Sequence, residues 1–422
     1  MRKPSVLVVF LTVFIDLIGF GLVLPLLPIY SQEFGASGFM IGAIMASFSA
    51  MQFLFAPAWG RLSDRIGRRP VLLVSTAGAA VSYAIFAIGS GFAGHTALWI
   101  ILGSRVLAGI CGANITVAEA YIADVTPPEN RSKKMGLIGM AFGLGFICGP
   151  MIGLVSPDSW GVPGPGWIAA GLCAANFFLA LTILPESWKP NSEHAVQRPR
   201  LEQWSHTLRQ PKIALIIAVF FLATFCFTCF ETTLGLLVSQ QFGLDLVKNK
   251  GTIYFLFAYA GLVGATVQGG AIGRLVKKMG EPKLISVSLI LFALGMAPFP
   301  FIHGTEPLSW TGLIHPGGLA WLELFFFLAL LSIGSALTRP PVFGLISILT
   351  PAHEQGATIG VAQSAGSLAR IVGPVFATTL FTHHPALPYL VCSGISLIAG
   401  LMAWQSLCKV EPAGTVAEPL NS

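Results

Sequence analysis

Charge is what this sequence has least of. Lys, Arg, Asp and Glu make up only 10% of its 422 residues, while hydrophobic residues make up 54%. An ordinary soluble domain carries about 25% charged residues, so a soluble globular class is disfavoured from the outset. The motifs of soluble enzymes are missing too. There is no Gly-x-x-x-x-Gly-Lys-Ser/Thr loop to cradle a nucleotide phosphate, so nothing points to ATP as an energy source. There is no His-Glu-x-x-His pair and no Gly-x-Ser-x-Gly elbow. Of the eight histidines only His383 and His384 are adjacent, in an expected outer loop with no further ligands nearby. The seven cysteines fall in or at the ends of apolar runs. Cys226-x-x-Cys229 lacks the second pair that would complete a metal site, so buried apolar thiols are the expectation. An enzyme is not expected, and neither is a cofactor or a bound metal.

In place of these features the chain has apolar runs of the length a bilayer-spanning helix needs, about 20 residues. Twelve fit, at 5–28, 38–58, 70–91, 97–122, 135–155, 165–184, 212–239, 250–272, 283–302, 320–345, 358–381 and 386–408. Span 1 is expected to close at Pro25 and Pro28, and no small-residue cleavage site follows it, so a removed signal peptide is not expected. Nineteen Lys and Arg residues fall on one side of these spans, and only Lys248 and Lys250 on the other. That bias places both termini in the cytoplasm. The net charge of +6 then belongs to membrane orientation and not to nucleic-acid binding.

The chain repeats itself once. Ser31-Gln32-Glu33-Phe34-Gly35 after span 1 matches Ser239-Gln240-Gln241-Phe242-Gly243 after span 7. Gly60-Arg61-Leu62 with Gly67 matches Gly273-Arg274-Leu275 with Gly280. Thr126-Pro127 precedes Gly149-Pro150 by the same count as Thr350-Pro351 precedes Gly373-Pro374. The expected fold is an all-α membrane protein of twelve transmembrane helices in two six-helix pseudo-symmetric halves. The halves fall at 1–185 and 212–408, joined by a charged, Pro-containing cytoplasmic linker at 186–211 and followed by a cytoplasmic tail at 409–422.

The stretch Gly60 to Pro70 reads G-R-L-S-D-R-I-G-R-R-P between two apolar runs. Such charge density cannot lie in lipid and reads as a tight surface loop, with Gly60 and Gly67 at the reversals. It closely resembles the loop between helices 2 and 3 of the major facilitator superfamily, whose pattern is G-x-L-x-D-R-x-G-R-R. In span 5, Gly145-x-x-x-Gly149-Pro150-x-x-Gly153 puts three glycines on one face beside a helix-bending proline. This matches the family's antiporter signature, with Leu154 where a second closing glycine is usual. The run from Ala120 to Thr126, the Glu129 and Arg131 pair, and Pro185-Glu186-Ser187 are similar to the tetracycline-efflux branch. The resemblance implies a secondary transporter with its substrate site near the midplane, between halves that rock against one another.

Candidate residues follow. Asp16 is a carboxylate about a dozen residues into span 1, costly unless it faces a cavity or a partner. It is either a proton-coupling or substrate-sensing acid, or a structural one bonded to a neighbouring helix. Arg105 shares a helical face with Gly109 and Ala113. It either faces inward, where the resemblance implies proton coupling, or snorkels to the interface. Asp64, Arg65, Arg68, Asp124 and Glu186 would all lie on the cytoplasmic face, as a gating cluster of ion pairs or as solvated loop charges. Asp64 could meet a helix N-terminus of the other half. Glu231, Arg339, Arg370 and Gln363 lie on polar stripes of spans 7, 10 and 11 expected to face the cavity, where they bind a zwitterionic or partly anionic substrate or pair with each other. Gln52, Asn114 and Gln268 are further inward candidates.

The expected function is export of small amphipathic organic compounds, drug-like or tetracycline-like, in exchange for protons across a bacterial inner membrane. The expected partners are a small-molecule substrate, protons and membrane lipid, with no nucleic acid, and the expected state is a monomer. The alternatives are an importer or facilitator on the same fold, and a non-transporting membrane receptor or enzyme.

Overall fold

In the computed structural model the described residues are all except 1–4, 113–114, 127–130, 156–159, 188–199, 246–247, 305–307, 309–317, 352–353 and 408–422. Among the described residues the regular structure is entirely helical. The first half holds α1 (Val6–Glu33), α2 (Gly38–Ile66), α3 (Arg68–Ser90), α4 (Gly94–Gly112, resumed at Ile115–Val125), α5 (Arg131–Leu154) and α6 (Gly164–Ile183). The second half holds α7 (Pro211–Phe242), α8 (Lys250–Met279), α9 (Glu281–Phe301), α10 (Leu319–Leu349), α11 (Gln355–His383) and α12 (Leu387–Leu407). Eleven of these are long and apolar enough to cross a membrane, and α5 adds a shorter apolar helix, Met140–Leu154. Backbone groups within lipid must be satisfied internally, which is why apolar runs of this length become helices.

Two local expectations need correcting. Span 1 does not close at its prolines: α1 passes through a 3₁₀ turn, Leu24–Leu26, and resumes as Leu27–Glu33. Pro25 and Pro28 each lie in the first turn of a new piece, where a missing N–H costs nothing. The loop at 60–70 is also shorter than its polarity suggests. Ile66 ends α2 and Arg68 begins α3, so Gly67 alone makes the turn, at φ 101°. A left-handed φ favours glycine. Gly280, φ 74°, makes the same turn between α8 and α9. The linker also holds a helix, Arg200–Leu208, which buries Thr207 and packs Trp204 against the second-half core.

The helices alternate in direction, so one face of the molecule collects the basic loops. At the opposite face the halves close tightly. A methyl on Gly42 of α2 would sit 2.6 Å from Thr378 Oγ1 and 2.8 Å from Val375 N of α11. The Tyr254 hydroxyl of α8 donates to the Leu22 carbonyl of α1 at 3.1 Å. A methyl on Gly153 of α5 would collide with the Tyr254 ring. Toward the basic face, by contrast, methyls on Gly60 and Gly273 would meet nothing within 4 Å.

Candidate functional site

The first site lies inside the first half. Gly149 and Gly21 let α5 and α1 touch backbone to backbone: a methyl on Gly149 would be 2.5 Å from Gly21 C and Leu22 N. Gly145 packs on Leu17 in the same way, at 2.8 Å. This close approach fixes the α1 face that carries Asp16. The half-buried Asp16 carboxylate accepts from Asn176 Nδ2 at 2.8 Å, and that amide also donates to the Thr12 carbonyl at 2.8 Å. Asp16 therefore has a structural partner on α6, and it also lines a cavity of about 50 Å³ with Phe20, Phe48, Gln52, Ser75 and Tyr83. Such a space holds at least one water if polar groups meet it. Gln52 is held by its Nε2 donating to the Gly112 carbonyl at 2.9 Å.

Arg105 does not snorkel. It is 1% exposed, with its guanidinium 4.8 Å from the Phe48 ring centre and 5.8 Å from that of Phe20, and it bonds the Tyr83 hydroxyl. Its Nε has no partner. Gly109, one turn on, lets α4 press against Phe48 and Met51 of α2. Cation–π contacts of this kind are worth more when desolvated.

The second site lies at the cleft. Glu231 of α7 is 9% exposed and has one carboxylate oxygen, Oε1, without a partner; it faces Arg370 of α11. Arg370 donates to Ser367 Oγ at 3.1 Å. Arg339 of α10 is exposed and lies 5.5 Å over the Phe343 ring. Gln363 is half-buried on the same face of α11. Gln268 stands apart on a π-helical turn of α8, exposed, 3.5 Å from the Ala336 carbonyl. Asn114 lies outside the described residues.

The third group is on the basic face. Arg68 NH1 reaches Asp64 Oδ1 at 2.5 Å and Ser63 Oγ at 2.6 Å, and its Nε donates to Asp124 Oδ2 at 3.1 Å. Its side chain is 10% exposed, so the two carboxylates compensate a buried charge. Glu186 receives the backbone N–H groups of Arg68 and Arg69 at 2.9 and 3.1 Å. A carboxylate on a helix N-terminus satisfies orphan donors and suits the dipole. Gly67 is doubly constrained, because a methyl there would sit 2.5 Å from Glu186 Oε2. These partners of Asp64, Arg68, Asp124 and Glu186 all lie in the first half, so the cluster braces α2, α3, α4 and the end of α6. Arg65 is exposed beside it.

One charged group at the cleft escaped sequence reasoning. Glu119, in the Ile115–Val125 piece of α4, accepts from the Gln363 amide and faces Arg339, both in the other half. The available signal was a carboxylate inside an apolar span, the criterion that singled out Asp16, but it was hidden beside the Tyr121–Thr126 motif.

An all-helical, multi-pass chain with two packed halves and charged side chains in the cleft between them defines an integral membrane transport protein. Its sequence matches the family model of the Major Facilitator Superfamily over residues 9–321. The chain belongs to that superfamily. It is 31% identical over 384 residues to the class E tetracycline resistance protein of Escherichia coli, covering 90% of this chain and 88% of that one. It is 30% identical over 444 residues to major facilitator superfamily domain-containing protein 10 of Bos taurus, covering 93% and 91%. The crystal structure of the human organic anion transporter MFSD10 superposes with a TM-score of 0.67 at 27% identity, covering 95% of this chain and all of that one. The relatives are transporters and not enzymes.

Proposed function

We propose that the protein exports small amphipathic organic compounds in exchange for protons, by alternating access, from a bacterial cytoplasm with both its termini on the inner side. The observation that carries this reading is the paired arrangement in the first half: Asp16 on a cavity wall beside a fully buried Arg105. Burial favours the neutral form of a carboxyl, the property a proton carrier needs. One proton moves inward for each substrate molecule moved outward. The glycine seam of α1 and α5 supports export, since it follows the antiporter signature, and the tetracycline resistance proteins among the relatives support an amphipathic cargo. Gating is assigned to the Asp64, Arg68, Asp124 and Glu186 cluster, and substrate contact to Glu231, Arg339, Arg370 and Gln363.

A second reading, uptake or facilitated movement of an organic anion, is favoured by the two cleft arginines and by the organic anion transporter among the structural relatives. Proton flux in everted vesicles separates the two. With an imposed pH gradient, a tetracycline or a lipophilic cation collapses the gradient in wild type and not in Asp16→Asn. Full proton-driven transport by Asp16→Asn removes Asp16 from the carrier role.

A further inference from the structure

Glu119 has no part in the reading above, yet it is the acid that reaches across the cleft. It is carried by the first half, and the two groups it meets, Gln363 and Arg339, are carried by the second. Arg339 is exposed, stacks over Phe343, and has Glu119 as its counter-charge. The neighbouring Arg370 is supplied from its own half, by Glu231 and Ser367. The two arginines thus stand on one wall with two differently mounted carboxylates. Glu231 moves with Arg370. Glu119 moves with the opposite half, so relative motion of the halves changes its distance to Arg339. Independently, the buried and unpartnered Oε1 of Glu231 marks a position where a donor group of a ligand would be accepted.

We infer that Glu119 is a tethered competitor for the substrate: it holds Arg339 across the cleft, and the carboxylate of an amphipathic aromatic acid displaces it. The acid's ring lies against Phe343 and its hydroxyl or ammonium donor reaches Glu231. Displacing Glu119 also removes its bond to Gln363, so anion binding loosens this contact between the halves. The inference deepens the exporter reading, on which it rests, by naming the substrate class.

The test is equilibrium binding of radiolabelled salicylate to the full-length protein in nanodiscs, with its neutral amide, salicylamide, as control. Glu119→Gln is expected to bind salicylate about tenfold tighter than wild type, since a competing state is removed. Its affinity for salicylamide stays unchanged. Glu119→Asp keeps the charge and stays within about threefold of wild type, and Arg339→Gln loses salicylate binding. Gln363→Leu, which frees the tether without touching either charge, binds salicylate a few-fold tighter and serves if Glu119→Gln does not fold. Salicylate affinity that is unchanged or weaker in Glu119→Gln and Gln363→Leu overturns the inference. So does a parallel gain for salicylamide, or no salicylate binding in any form. Proton flux does not enter this equilibrium, so its failure and the failure of the exporter reading are separable.

Discussion

Where α2 meets α11, Gly42 lies so close to Val375 and Thr378 that a methyl group has no room. Toward the basic face, the halves instead meet through the Glu119 carboxylate, the Gln363 amide and the Arg339 guanidinium. The first contact is steric: small residues bring backbones together, and dispersion over many atoms holds them. It has one solution and no ligand substitutes for it. The second contact is polar and exchangeable, because water or a ligand group can replace any one partner. A transporter needs both kinds. One end has to close without specificity for cargo, and the other has to respond to it.

Predictions that break this contrast run from large effects to small. Gly42→Val overfills the steric end. It is expected to cut transport at least tenfold while the protein still folds, since overpacking costs about 1–3 kcal/mol; uptake assays with size-exclusion profiles check this. Arg68→Gln leaves Asp64 and Asp124 facing each other on the basic face. With the carboxylates partly solvated, a loss of about 1–2 kcal/mol is expected, read as a lower melting temperature. Glu186→Gln retains shape but removes charge from the N-terminus of α3, for about 0.5–1 kcal/mol. Lys277→Gln, in the matching turn of the second half, is expected to change stability by less than about 0.5 kcal/mol, because it is half-buried and has no such cluster around it among the described residues.

That last pair separates what the sequence displays from what it hides. The repeat of Gly67 and Gly280 is visible as spacing, and both become one-residue turns with positive φ. Spans were legible because lipid imposes one length and one polarity. Partners were not. Asp64 is found bonded to Arg68 one turn on, whereas a latch in the other half was the sequence-based expectation. The pairing of Asp16 with Asn176 crosses 160 positions, and no local pattern announces it. The Arg200–Leu208 helix was missed because its apolar face is short and is covered by the second half. The continuation of α1 past Pro25 and Pro28 was missed because prolines read as stops unless each falls in a first turn.

The most direct test of alternating access is a pair of spin-label distances in one sample, with and without transported substrate. One pair spans the halves at the glycine end, on Glu33 and His384. The other spans them at the basic face, on Arg65 and Lys277. The account predicts opposite changes: as substrate or the proton gradient is applied, the glycine-end distance lengthens while the basic-face distance shortens. Distances that stay fixed, or that lengthen and shorten together, would contradict it.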